Sequence, residues 1–355
     1  MEAATNNPTN APHPLSRVFR IAAGYVIAVA CLIWIFHDVR LSGLAENIKR
    51  IRWGWVLPAI AFDVLSYATQ AVRWRLLLRP LGDISPIRAT QAVYAGLFTS
   101  EVLPMRAGEI VRAYLASKWM SLRTGSVIPS LAVERFFDGV WLSLYIGIVA
   151  VFVPLPRNIF HAAEIFGVII ITGTVVLVTL ILRPHGRPAA ATADPRGPAS
   201  TPIRATQRML LPFQRLGRWL VHFGAVVRLM GRTPAFYMSF GISSLILAFQ
   251  AIAFWLVMVA YGFHFPIWTG AVVFLIQYFG TAIPNAPGNV GSYQFFVIIG
   301  LALFGVDKTR ATGFSVIVFV LLTMPLWVIG SLALRRSGVT IGQVRRDAAQ
   351  WMGRG

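Results

Sequence analysis

The sequence is poor in charge, poorer still in acid, and almost without cysteine. Only 13% of its residues are charged, against about 25% in an ordinary soluble domain, which excludes one or two water-soluble globular domains. The single thiol, Cys31, excludes an intramolecular disulfide. No HExxH, GxSxG or Walker A sequence occurs, the six His are scattered, and Cys31 stands outside any metal-ligand cluster. Neither a metal nor a cofactor is expected, and no soluble module carries catalysis.

What is abundant is apolar surface. Hydrophobic residues make up 56% of the chain and recur in stretches approaching the roughly 20 residues that a helix needs to cross a bilayer core of about 30 Å. The fold class expected is therefore an all-α polytopic membrane protein. Its 32 Lys+Arg outnumber its 13 Asp+Glu to give a formal charge of +19. The basic residues cluster between apolar runs, where they set topology and meet anionic inner-leaflet lipids. No basic stretch is interleaved with aromatics on a soluble module, so nucleic acid is not expected as a partner.

Residues 1–16, rich in Asn, Pro, Thr and Ala, read as a disordered tail, and Arg17 and Arg20 flank a first span near 21–37. Ala28-Val29-Ala30-Cys31 is similar to a lipoprotein cleavage box, but the apolar run continues through Phe36, as in an uncleaved span. Residues 41–52 place Leu41, Leu44, Ile48 and Ile51 on one face of an interfacial helix. Further spans are expected near 54–72, 128–153, 165–182, 234–260, 266–283, 291–306 and 311–334. The stretch 183–233, with nine Arg and one acidic residue, Asp194, reads as a cytoplasmic loop. Its second part is amphipathic, with Phe213, Leu216, Leu220, Phe223, Val227 and Met230 on the face expected to lie on the inner leaflet. Residues 337–355 read as a basic cytoplasmic tail, and the five Arg after residue 334 put the C-terminus, like the N-terminus, in the cytoplasm by the charge rule. Eight crossings satisfy that if the short segment 89–104 is re-entrant; the count shifts if 266–291 is re-entrant too.

Two interruptions share a pattern. The short apolar segment 89–104 ends in Leu103-Pro104-Met105-Arg106-Ala107-Gly108, and a second closes on Ile283-Pro284-Asn285-Ala286-Pro287-Gly288-Asn289-Val290-Gly291. Both read apolar-Pro-x-x-x-Gly, a helix stop followed by permissive backbone. Broken backbone at membrane depth is tolerated where protein or a watery cavity satisfies it, and paired breaks in two halves point to a transporter's binding site. The pattern is compatible with an inverted pseudo-repeat. Helices restarting near Gly108 and Gly291 would aim positive N-terminal ends into such a cavity. Ordinary proline kinks are the alternative.

Charge adds to the first break. Asp63, Glu101, Glu109, Glu134 and Asp138 fall within or beside predicted spans, where an ionisable group costs about 2.5–3.5 kcal/mol on insertion scales. Glu134 and Asp138 share one helical face, with Arg135 beside them, and Arg106 and Arg112 bracket Glu109. These residues make a candidate Arg–carboxylate network whose surplus Arg meets a lipid phosphate; purely structural ion pairing is the alternative. Asp63 reads equally well as a satisfied buried aspartate. Trp74 with Arg73 and Arg75 reads as an interfacial anchor.

Four runs in order carry a family likeness: Arg73-Trp74-Arg75-Leu76-Leu77-Leu78, Leu103 to Arg112, Glu134-Arg135-Phe136-Phe137-Asp138-Gly139, and Pro284 to Gly291. Their order and spacing over about 17–336 resemble the lysylphosphatidylglycerol synthase transmembrane family, also called flippase-like domain proteins. The resemblance implies a prokaryotic cytoplasmic-membrane protein that binds and translocates a lipid or lipid-linked intermediate. The chain stops shortly after its last span, without the aminoacyl-transferase domain of the full synthase, and is not expected to aminoacylate lipid. Similar proteins lacking that domain are associated with glycolipid, polyprenyl-linked or hopanoid pathways.

Together these readings give a translocase whose groove holds an anionic head group between Arg106, Arg112 and Arg135. Glu109, Glu134 and Asp138 orient the arginines, with Asn285 and Asn289 from the second break. The breaks themselves are assigned to Pro104, Gly108, Pro284, Gly288 and Gly291. With no nucleotide site visible, movement is expected to be downhill or ion-coupled. The competing readings are a membrane-embedded lipid-phosphate transferase and a non-catalytic lipid-binding partner of a separate enzyme.

Overall fold

The computed structural model describes residues 26, 29–35, 37, 51–102, 108–152, 157–182, 223–281 and 287–339. Among them all regular structure is helical. The helices that carry the architecture of the described residues are α1 (Trp53–Leu78), α2 (Pro86–Val102), α3 (Gly108–Trp119), α4 (Thr124–Phe152), α5 (Arg157–Leu182), α6 (Pro234–Ala260), α7 (Ile267–Gly280), α8 (Ser292–Ala302) and α9 (Lys308–Arg336). The protein is an all-α membrane protein. By length and apolar composition α1, α6 and α9 can each cross a bilayer, and their outward residues, such as Leu65, Val72, Met238 and Val328, are large, apolar and exposed. Such a surface fits lipid and would be a liability in water.

Helix ends follow local chemistry. Pro234 opens α6, where its missing N–H is no loss. Asp307 caps α9 by accepting a hydrogen bond from the Arg310 backbone N–H at 2.9 Å. The first helix of the second hairpin ends at Gly280, and the chain turns again at Pro287–Asn289, with Gly288 at φ 68° and Gly291 at φ 89°. Glycine is suited to that left-handed backbone. Gln294 Oε1 then accepts from the Gly291 N–H at 2.8 Å, holding the start of α8.

The expected spans at 266–283 and 291–306 are the shorter helices α7 and α8, of 14 and 11 residues. At 1.5 Å per residue they reach only about 21 and 16 Å, so neither crosses a bilayer singly. They pair antiparallel: a Cβ on Gly280 would lie 2.3 Å from the Phe296 ring and one on Gly300 3.1 Å from Val273. The α2–α3 pair has the same build. A Cβ on Gly108 would lie 1.8 Å from the Gly96 carbonyl oxygen, so the two backbones meet where no side chain fits. Both interrupted regions are thus short antiparallel hairpins closed through glycine. They also touch each other, since the Pro287–Asn289 turn packs on α2 and a Cβ on Gly288 would sit 3.8 Å from both the Glu101 carbonyl and its Oε2.

α1 packs extensively along α6, while α2 lies between α1 and α9. One apolar core, around Phe254, Met258, Val273, Leu301 and Phe314, joins α6 to α9. A second, around Trp74, Leu78, Val93 and Leu115, joins α1 to α3. A third corrects the sequence reading of the amphipathic stretch. Residues 223–231 are helical, but Val226, Val227 and Met230 are buried against Leu77, Val133, Phe137 and Phe236. The apolar face of that segment is satisfied by protein, not by the inner leaflet. The remainder of the stretch, with Phe213, Leu216 and Leu220, lies outside the described residues, as do the tail 1–16, the interfacial segment at 41–50 and residues 340–355.

Candidate functional site

Arg73 stands one turn before the end of α1 and is fully buried. Its Nε donates to Glu134 Oε1 at 3.1 Å, and its Nη1 donates to Asp138 Oδ1 and, at 3.0 Å, to Ser243 Oγ. Nη2 also lies 3.1 Å from Glu134 Oε1. The i,i+4 spacing of Glu134 and Asp138 brings both carboxylates to one guanidinium, a geometry suited to the planar fork of arginine and not to lysine. Glu134 serves a second arginine through its other oxygen: Arg112 Nη2 from α3 lies 2.7 Å from Oε2. Arg112 also stacks over Trp74, with its Cζ 3.9 Å from the ring centroid. Trp74 is held in turn by donating its indole N–H to Ser130 Oγ at 3.0 Å.

Arg135 is placed differently. It pairs with Glu109 of α3 (Nε to Oε1 2.7 Å) and lies 3.8 Å from Asp138 Oδ2. Its side chain is 46% exposed. Three arginines thus face three carboxylates, and the described cluster carries no surplus positive charge. This revises the expected roles. Arg112, Glu134 and Glu109 do not line the neighbouring cavity, while Arg73, Arg135 and Asp138 do. Arg112 is a buried, stacked strut, and Arg73, which the sequence reading treated as an interfacial anchor, occupies the centre.

The cavity has a volume of about 450 Å³. Besides Arg73, Arg135 and Asp138 its lining includes Gln250, Gln277, Asp63, Glu101, Gly288, Asn289 and Tyr293. Both short hairpins therefore contribute to its wall. Asn289 and Gly288 from the second break line it, and Gly108 and Gly291 sit at the helix starts that the sequence reading assigned them. Arg106, Pro104, Pro284 and Asn285 lie outside the described residues. Sequence reasoning underrated Arg73 and overlooked Ser243, Gln250 and Gln277. The Arg-Trp-Arg run of the family likeness was the available signal for the first; for the neutral polar residues the only hint was a hydrogen-bonding group inside an apolar run.

Residues 21–330 match the model of the lysylphosphatidylglycerol synthase TM region. Over 332 residues, 91% of this chain and 96% of the relative, the protein is 23% identical to a UPF0104 membrane protein of Methanothermobacter thermautotrophicus. A shorter likeness, 29% identity over 138 residues, links it to the glycosyltransferase AglD of Haloferax volcanii; it covers 39% of this chain and only 22% of that enzyme. The family match across most of the chain shows where it belongs: the protein is a member of the lysylphosphatidylglycerol synthase TM-region, flippase-like membrane proteins.

Proposed function

We propose that the protein is a lipid translocase that admits the polar head group of a lipid or lipid-linked intermediate into this cavity while the tails stay in the bilayer. The observation that carries the reading is a cavity of about 450 Å³ inside an apolar bundle, bounded by two broken hairpins and lined by Arg73, Arg135, Asp138 and several uncharged hydrogen-bonding groups. That volume lies in the range of small-molecule sites. Interrupted helices around a polar cavity are the build of a transporter site. Arg135, paired with Glu109 yet half exposed and part of the cavity wall, is the group best placed to meet a phosphate. Gln70, Gln250 and Gln277 offer amide donors and acceptors to hydroxyls of a glycerol or sugar. The partial likeness to a glycosyltransferase favours a saccharide-bearing lipid among the candidates. An anionic inner leaflet, and a separate lipid-modifying enzyme that supplies or consumes the substrate, complete the proposed setting.

The test is reconstitution of the purified full-length protein in liposomes carrying fluorescent phosphatidylglycerol or a labelled polyprenyl phosphate. Leaflet exchange of either without covalent change is the expected result. Covalent turnover of the lipid would favour a membrane-embedded transferase instead, and binding without exchange or turnover a delivery partner.

A further inference from the structure

Away from the arginine cluster, the cavity is acidic. Asp63 precedes Arg73 by ten residues on α1, about 15 Å along the helix axis. It is 3% exposed, and its Oδ2 has no hydrogen-bond partner. No ion pair reaches it among the described residues. The titratable groups around it are Tyr67 on its own helix, Tyr94 and Glu101 on α2, and Tyr293 on α8. The Tyr94 hydroxyl donates to the Val64 carbonyl at 3.4 Å. α6 contains no acidic or basic residue, and those of α9, Lys308, Arg310, Arg335 and Arg336, stand at its two ends. From α4 the charged groups are Glu134, Arg135 and Asp138, gathered at the Arg73 end.

A carboxylate buried without a cation is expensive, and a proton removes that charge. Asp63 also shares the cavity with any anionic head group, which meets no spare arginine among the described residues of the cluster. Repulsion between the head group and ionised Asp63 is relieved when the carboxyl is neutral. By linkage, whatever binds better to the protonated form favours proton uptake.

We propose that Asp63 is the proton-coupling site of the translocase, a proposal that rests on the translocation reading above. The Asp63 carboxylate takes one proton from water as an anionic head group enters, and the carboxylic acid returns it to water as the head group leaves on the other side. No bond other than O–H is made or broken. One coupled proton makes a one-unit pH difference across the membrane worth about tenfold in the leaflet distribution of the lipid.

The experiment uses the same liposomes, with fluorescent phosphatidylglycerol and labelled polyprenyl phosphate as probes, pyranine inside, and a pH difference of about one unit imposed in either direction. In the wild type the gradient is expected to shift probe distribution by up to about tenfold, with pyranine reporting proton movement in step. Asp63→Asn, checked for a monodisperse, normally melting protein, is expected to exchange lipid without responding to the gradient, and Asp63→Glu to keep the response. Independently of any variant, the detergent-solubilised wild type is expected to take up about one proton when the transported lipid is added at constant pH, as the linkage requires; no uptake overturns the proposal. A full gradient response in Asp63→Asn overturns the assignment to Asp63. Exchange in the wild type that ignores the pH gradient, or follows a sodium gradient instead, overturns proton coupling and leaves translocation standing. Absence of exchange of both probes under every gradient overturns the translocation reading itself.

Discussion

At the Arg73 end of the cavity each charged side chain has an opposite charge within salt-bridge distance, whereas at the Asp63 end a buried carboxyl has none among the described residues. The first arrangement fixes geometry: Glu134 bridges two buried arginines, and Asp138 and Ser243 fix the remaining fork of Arg73. The second leaves a charge state free to change. Buried ion pairs are weak evidence for stability but costly to break singly. The contrast teaches that buried charge in one protein can hold a scaffold in one place and be poised to respond in another.

The comparison breaks most sharply at Glu134. Replacing it by alanine leaves Arg73 with one carboxylate and Arg112 with none, an expected loss of about 3–5 kcal/mol, read as a collapse of the monodisperse fraction or of the melting temperature in detergent. Arg112→Ala is expected to act in the same direction, through stability, because Arg112 does not line the cavity. Next is Gly108→Ala. The added methyl would lie 1.8 Å from the Gly96 carbonyl oxygen and force α2 and α3 apart, an overpacking loss of about 1–3 kcal/mol measurable by thermal melting. A smaller effect is expected for Ser130→Ala, which removes the acceptor of the Trp74 indole N–H and about 1 kcal/mol, with exchange activity retained.

The smallest change in stability is expected at Arg135. Its pairing with Glu109 is half exposed, so Arg135→Ala should lower stability by less than about 1 kcal/mol. Leaflet exchange should nevertheless fall by about tenfold, as for the loss of one charge-assisted contact to a head group. Normal exchange in a normally melting Arg135→Ala protein would reduce the whole arginine cluster to scaffold.

Parts of the site were legible along the chain. Glu134 and Asp138 are four residues apart, so any helix through them presents both on one face. The Pro104 and Pro284 patterns signalled interruption, and α3 begins at Gly108 as the glycine suggested. Arg73 was not legible in the same way. An Arg-Trp-Arg run after an apolar segment has the composition of a membrane-interface anchor, and the partners that bury it are 61, 65 and 170 residues away. The amphipathic segment ending near residue 231 posed a similar ambiguity. Its apolar stripe was readable, but lipid and protein satisfy such a stripe equally, and Val227 and Met230 found protein.

What the sequence determined by itself is what depends on local periodicity and solvent preference: helices throughout, an apolar exterior, two breaks, and a set of charges that lipid would reject. What tertiary structure decided is which of those charges meet. Partner choice among buried ions depends on distances of a few ångströms between remote helices. Only the packing of α1 against α4 and α6 made Arg73 the centre of the cluster, left Arg135 facing the cavity, and left Asp63 without a cation among the described residues.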